Sequence, residues 1–155
     1  FLNIARVIGG VMNKETICDL IMHQVDCSQM VAGEFAEETG MSKEELYKMS
    51  ACFAGGMLRG ETCGAVISAY NIIGLLYGHC GPDQDEQKGA MLAKMLRFNE
   101  LFAEKQGSES LTCKGLLDAD ISTPEGMSRI IDGGLMFEAC PVIIIPTAPS
   151  CPIRA

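Results

Sequence analysis

The stretch GGMLRGETCGAVISAYNIIGLLY, residues 55–77, decides the fold. Gly55, Gly56 and Gly60 punctuate its first six positions and mark a tight loop, because glycine readily takes backbone conformations other residues avoid. Thr62 then stands as an N-cap, and from Cys63 to Tyr77 nearly every position is apolar. Ser68, Asn71 and Gly74 interrupt the run, which is shorter than the ~20 residues needed to cross a bilayer. A helix apolar on every side belongs at the centre of a bundle. The expected fold is therefore all-α, a compact bundle of about five to seven helices around the central helix 63–77.

Reading outward, residues 14–25 carry Ile17, Leu20, Ile21 and Met22 at helical spacing, and a second helix covers residues 28–38, with Gly40 as its left-handed cap. Ser42 and Glu45 form a capping box that starts a third helix, with Leu46, Met49 and Phe53 on its core stripe. Residues 83–106 read as a long amphipathic helix whose buried face is Met91, Leu92, Met95, Leu96, Phe98 and Phe102. A short helix is expected over residues 113–117. Ser122-Thr123-Pro124-Glu125 starts another, with proline where its missing N–H costs nothing. Beyond Cys140, Pro141 disrupts regular helix, and Val142 to Ile145 between Pro141 and Pro146 reads as a short strand or an extended tail.

A length of 155 residues predicts one domain over 1–155. The net charge of -8, without a basic run or stripe, argues against nucleic acid and anionic membrane surfaces as partners. No basic and apolar leader is read before the first helix. Eight cysteines are many for a reducing compartment but too few for a secreted disulfide scaffold, where the share exceeds ~8%. In a chain that can bury its own core they are better read as metal ligands or redox groups, which predicts a cytoplasmic protein. Ten methionines and no tryptophan fit an anaerobic interior.

No two cysteines are spaced as Cys-x-x-Cys; the shortest separation is the nine residues from Cys18 to Cys27. That excludes c-type haem attachment, a thioredoxin-like site, a zinc ribbon and a ferredoxin run. Any multi-cysteine site must be assembled from separate helices. Cys63 is the best-supported thiol, since the helix dipole and nearby Arg59 favour thiolate there, and the glycines admit backbone close to a sulfur-rich anionic centre. Cys27 stands at a helix start after Asp26, Cys113 opens a short helix beside Lys114, and Cys140 precedes Pro141. The competing reading is that these cysteines are small core residues. For Cys18, Cys52, Cys80 and Cys151 that reading is preferred, and His23 and His79 read as structural or exposed. The glycine loop lacks the Lys-Ser/Thr of a phosphate-binding loop.

Cys27-Ser28-Gln29, the run from Gly55 to Ala65, Cys113, the run from Asp120 to Gly126 and Cys140-Pro141 together resemble the redox-active proteins named for their CGCAxxGCC motif. The resemblance covers about residues 15–141, and Arg-Gly-Glu-Thr-Cys-Gly-Ala at 59–65 is its most specific part. It implies a small helical protein with four family cysteines, matched by Cys27, Cys63, Cys113 and Cys140, and a redox role in anaerobic metabolism. A related domain accompanies haems in split-Soret cytochromes, which implies an iron–sulfur site for such cysteines; no haem is expected here. Ser68 replaces the motif's closing glycine, which bears on helix packing, and the proline-rich end departs from a helical tail.

The first expectation is an iron–sulfur protein for electron transfer or redox sensing, with a [2Fe–2S] or [4Fe–4S] cluster on Cys27, Cys63, Cys113 and Cys140. Arg59, Gly64 and Lys114 would be cofactor-binding residues. The second is a thiol–disulfide oxidoreductase with Cys63 as the attacking, catalytic thiolate. The third is a structural or partner-binding module in which the four thiols hold zinc or merely pack. A redox partner protein, docking near Met57 and Leu58, is the expected partner, and a homodimer is compatible with the sequence.

Overall fold

The structure is a computed structural model that describes residues 12–147; Cys151 lies outside them. Nine α-helices are present among the described residues: α1 (Lys14–Met22), α2 (Cys27–Gly33), α3 (Ala36–Thr39), α4 (Lys43–Ser50), α5 (Gly64–Tyr77), α6 (Asp85–Gln106), α7 (Cys113–Leu117), α8 (Pro124–Ile131) and α9 (Leu135–Thr147). The all-α expectation holds. Two helices beyond the expected number arise because residues 28–38 divide in two and because the tail is helical.

α5 occupies the centre, with Ala65, Val66, Ala69, Ile72 and Ile73 buried and α2, α3, α6 and α9 packed around it. Its closest partner is α2. Ser68 does not hold them apart: it is fully buried, and its own Oγ is satisfied by donating to Ser28 O at 2.8 Å, whereas the buried Ser28 Oγ has no partner. No helix among the described residues is long and apolar enough to cross a membrane.

α1 stops at Met22, three residues short of expectation. Val25 N donates to Leu20 O and Gln24 N to Ile21 O, with Gln24 left-handed at φ 62°. This is the Schellman pattern with glutamine in glycine's usual place, so no glycine signalled it. Between α2 and α3 the chain tightens at Phe35 (φ -107°, ψ 22°), whose side chain is fully buried. Seating that ring breaks the expected continuous helix. Gly40 caps α3 at φ 69°, and Ser42 and Glu45 close their box through Glu45 N to Ser42 Oγ (3.2 Å) and Ser42 N to Glu45 Oε2 (2.8 Å).

The buried face of α6 is narrower than its pattern. Phe98 and Phe102 are buried and stack on each other, and Phe98 meets Tyr70 of α5 edge-on at 5.7 Å. Leu92 and Leu96, expected inside, are 38% and 58% exposed. Residues 82–90 of the chain are exposed throughout, so the first turns of α6 reach past the helices that cover its second half.

The largest correction concerns the tail, since α9 continues through Pro141 to Thr147 instead of ending after Cys140. A proline inside a helix leaves the carbonyl four residues earlier without its backbone donor. Here substitutes are supplied from other helices. Cys18 Sγ donates to Phe137 O at 3.6 Å, opposite Pro141, and Gln106 Nε2 donates to Val142 O at 3.1 Å, opposite Pro146. Ile143 and Ile144 then pack into the core.

Candidate functional site

The loop before α5 is wound left-handed: Gly55, Gly56, Met57 and Leu58 have φ of 60°, 59°, 59° and 57°. For Met57 and Leu58 this costs roughly 1–2 kcal/mol each, because a Cβ crowds the backbone there. A Cβ on Gly56 would strike the backbone of Glu61, so the loop closes tightly on itself. Its consequence is an N–H placed on sulfur, for Gly55 donates its backbone hydrogen bond to the Cys27 thiol.

Cys27 is the first residue of α2, behind the N-cap Asp26, whose N–H is held by Gln29 Oε1 at 3.0 Å. Cys63 is the N-cap of α5, one residue outside the helix it was expected to open. Cys113 opens α7, capped by Thr112, whose Oγ1 accepts from Gly115 N at 3.1 Å. An isolated antiparallel bridge between Thr62 and Thr112 ties these two starts together. In it Cys63 N donates to Leu111 O at 2.8 Å and Cys113 N to Glu61 O at 2.6 Å. Cys140 comes from the middle of α9.

All four sulfur-bearing residues line one cavity of about 450 Å³. Its remaining walls are largely aliphatic, including Ile21, Val25, Ile130, Met136 and Ile143, with Asp26 and Gln24 the polar side chains. The Cys27 and Cys63 thiols are near enough to influence each other's ionisation, with Cys63 raising Cys27. The start of α5 lies directly beneath: a Cβ on Gly64 would sit 3.0 Å from Cys27 Sγ and 2.6 Å from Phe53 O. Gly64 therefore touches the site through its absence of a side chain. Cys18, Cys52 and Cys80 do not line the cavity; Cys52 and Cys80 are exposed, as are His23 and His79.

The two cations expected beside the thiols stand elsewhere. Arg59 follows the left-handed turn outward and is exposed, and Lys114 Nζ pairs with Glu61 Oε1 at 3.1 Å across half-exposed surface. Neither lines the cavity. An exposed pair of this kind contributes little. Lys114→Ala should change stability by less than about 1 kcal/mol in denaturant titration, and a much larger loss would mean the pair braces the bridge. The segment from Asp120 to Gly126 is a clasp for α8. Asp120 Oδ1 accepts from Ser122 N and Oγ, Thr123 Oγ1 accepts from Gly126 N at 3.0 Å, and a Cβ on Gly126 would collide with the Asp120 backbone.

Cys27, Cys113 and Cys140 are held protonated. The hydrogen bond to Cys63, followed by burial, raises Cys27 well above the ordinary range. Burial, then the Cys27 charge, pushes Cys113 to about 11, and burial, then Cys27 and Cys113, pushes Cys140 to about 12. Burial also raises Asp26. An unfolded thiol titrates near 9.0, so above that pH the unfolded chain binds fewer protons than the folded one. Stability from these groups is complete below about pH 9 and is lost as pH rises towards 11 and 12. The metal-free reduced chain should thus lose Tm above about pH 9, at up to about 1.4 kcal/mol per pH unit for each thiol. A Tm unchanged between pH 8 and pH 11 would contradict the burial of both groups.

Sequence reading missed the Gly55 amide, the mutual influence of the Cys27 and Cys63 thiols and Asp26 as a wall of the cavity. The first two have no local signature, because they depend on where the left-handed loop lands on α2. Among the described residues, no group of three or more His, Cys, Asp or Glu side chains is gathered closely enough to hold a single metal ion. No curated protein and no solved structure matches the chain. A family model does match it, over residues 25–149, spanning the four cavity cysteines and the helices that carry them. The chain belongs to the family described as "Putative redox-active protein (C_GCAxxG_C_C)".

Proposed function

We propose that the four cavity cysteines hold an iron–sulfur cluster, [2Fe–2S] or [4Fe–4S], and that the protein transfers electrons or senses redox state in a cytoplasmic, anaerobic setting. The observation that carries this reading is the convergence of Cys27, Cys63, Cys113 and Cys140 on one cavity of about 450 Å³. The donor set fits: four soft thiols match the usual cysteine ligation of such clusters. A multi-iron cluster suits four cysteines that line a cavity without three of them gathered closely, whereas zinc needs its four ligands at one tetrahedral point. When bound, the cluster supplies a low-cost one-electron couple.

The chain's own residues set its surroundings. The Gly55 N–H on Cys27 sulfur offsets thiolate charge, the aliphatic walls exclude water, and Gly64 leaves room at the start of α5. Leu58 lines the cavity yet is 63% exposed, and with Met57 it gives an apolar contact for a redox partner beside the site. Because ligation requires thiolate, loading must displace the protons that burial retains on Cys113 and Cys140.

Anaerobic purification followed by iron and acid-labile sulfide analysis tests this. Equal iron and sulfide with visible charge-transfer absorption is the expected result. Colourless, iron-free protein would overturn it, and zinc without sulfide would make the domain a structural module.

A further inference from the structure

The cavity is larger than its four sulfurs explain. Even a [4Fe–4S] core adds only four irons and four sulfides between the thiols, whereas about 450 Å³ falls in the range, ~300–1,000 Å³, of pockets that enclose an organic ligand. α9 measures the excess. Met136, Cys140, Ile143 and Ile144 line the cavity and recur at helical spacing, so this wall runs ~12 Å along the helix with the cysteine at its middle. Two further walls carry no cavity thiol: Ile21, Gln24 and Val25 around the end of α1, and Met127, Ile130 and Ile131 on one face of α8. They make an aliphatic lobe beside the sulfurs. It reaches solvent, since Ile131 is 50% exposed and Gln24 is exposed. Gln24 holds its place with a left-handed backbone that glycine would adopt more easily. Among the described residues no lysine, arginine or histidine lines the cavity, and Asp26 is its one carboxylate.

We propose that this lobe binds a small neutral organic molecule with an apolar body and one polar group, such as a phenol, an arylamine or a ketone. The body lies among Ile21, Met127, Ile130 and Met136, where it leaves water for aliphatic surface. The carboxamide of Gln24, which can donate and accept, meets the polar group at the opening. An anion is refused, because no cation lines the walls, Asp26 repels it and the aliphatic side chains leave its charge desolvated. Binding is a property of the metal-free chain; that the bound molecule lies beside a cluster rests on the iron reading.

The test titrates N-phenyl-1-naphthylamine, a neutral probe that fluoresces in apolar surroundings, into reduced full chain, both metal-free and loaded with iron and sulfide. One probe per chain should bind saturably in both, and the anionic 8-anilino-1-naphthalenesulfonate at least about tenfold more weakly. Ile131→Glu, at an exposed position of the lobe, should weaken the neutral probe at least about tenfold, whereas Met22→Glu, exposed and outside the cavity, should leave it unchanged. Gln24→Gly relieves the left-handed backbone and so keeps the fold, yet should weaken the probe about threefold by removing one hydrogen bond. No saturable binding, equal affinity for the anion, or equal binding by Ile131→Glu and Met22→Glu overturns the proposal. Loss of the probe on loading also overturns it, since the cluster would then fill the whole cavity. A chain that binds the probe yet never takes up iron would remove the iron reading and leave the lobe standing; iron uptake without probe binding would do the reverse.

Discussion

Cys63→Ser is expected to abolish retention of iron, whereas Cys52→Ser and Cys80→Ser retain it fully. A serine oxygen is a hard, neutral donor at neutral pH and binds soft metal poorly, so one quarter of the ligand set is lost outright. The loss extends beyond one bond, because Cys63 lies at the junction of α5 with the Thr62–Thr112 bridge. Cys52 and Cys80 are exposed and do not line the cavity, and their serine variants should stay within about 0.5 kcal/mol of the parent in stability. Iron and sulfide per chain, measured with the unfolding midpoint of each variant, separates ligand loss from general unfolding. Retention of iron by Cys63→Ser, with loss on changing Cys52 or Cys80, would place the site elsewhere.

The fold was legible wherever one local signal sufficed. The apolar run from Cys63 to Tyr77, the Ser42–Glu45 box and the proline after Thr123 each carry their own physical reason, and α5, α4 and α8 begin within a residue of those signals. What escaped was decided by partners distant in sequence. Pro141 and Pro146 read as helix breakers, which is correct for an isolated chain. The donors that replace the missing amides come from Cys18 and Gln106, 119 and 36 residues from the carbonyls they serve. Leu92 and Leu96 likewise follow a flawless helical pattern, yet periodicity states which residues share a face and not how far the neighbouring helices extend.

The four cysteines of the cavity could be nominated from sequence, but for uneven reasons. Cys27, Cys63 and Cys113 stand at helix starts, which local capping residues reveal, whereas Cys140 lies mid-helix and was singled out by a proline that does not disrupt the helix as expected. Electrostatic help was expected from Arg59 and Lys114 because they are near in sequence. Beside the thiols stands an uncharged group instead, the Gly55 amide, which favours the charged form of Cys27, whereas a full cation would itself have to be desolvated inside aliphatic walls.

Two glycine-to-alanine changes in α5 should have opposite signs. Gly74 has no atom outside its surroundings in the helix within 4 Å of an added Cβ, so Gly74→Ala should gain up to about 1 kcal/mol from helix propensity alone. Gly64→Ala receives the same propensity term, but its Cβ would stand 2.6 Å from Phe53 O and 3.0 Å from Cys27 Sγ. The first contact is with backbone of the turn that leads into the left-handed loop, which cannot rotate away as a flexible side chain would. Overpacking of this kind costs roughly 1–3 kcal/mol, enough to outweigh the propensity gain. Relief by moving Cys27 would pull its sulfur from both the Gly55 amide and Cys63, so iron retention should fall even where the chain remains folded. Denaturant midpoints for the two variants, with iron per folded chain, provide the comparison. Equal stabilisation of both, with full iron in Gly64→Ala, would show that α5 does not press against the Cys27 sulfur.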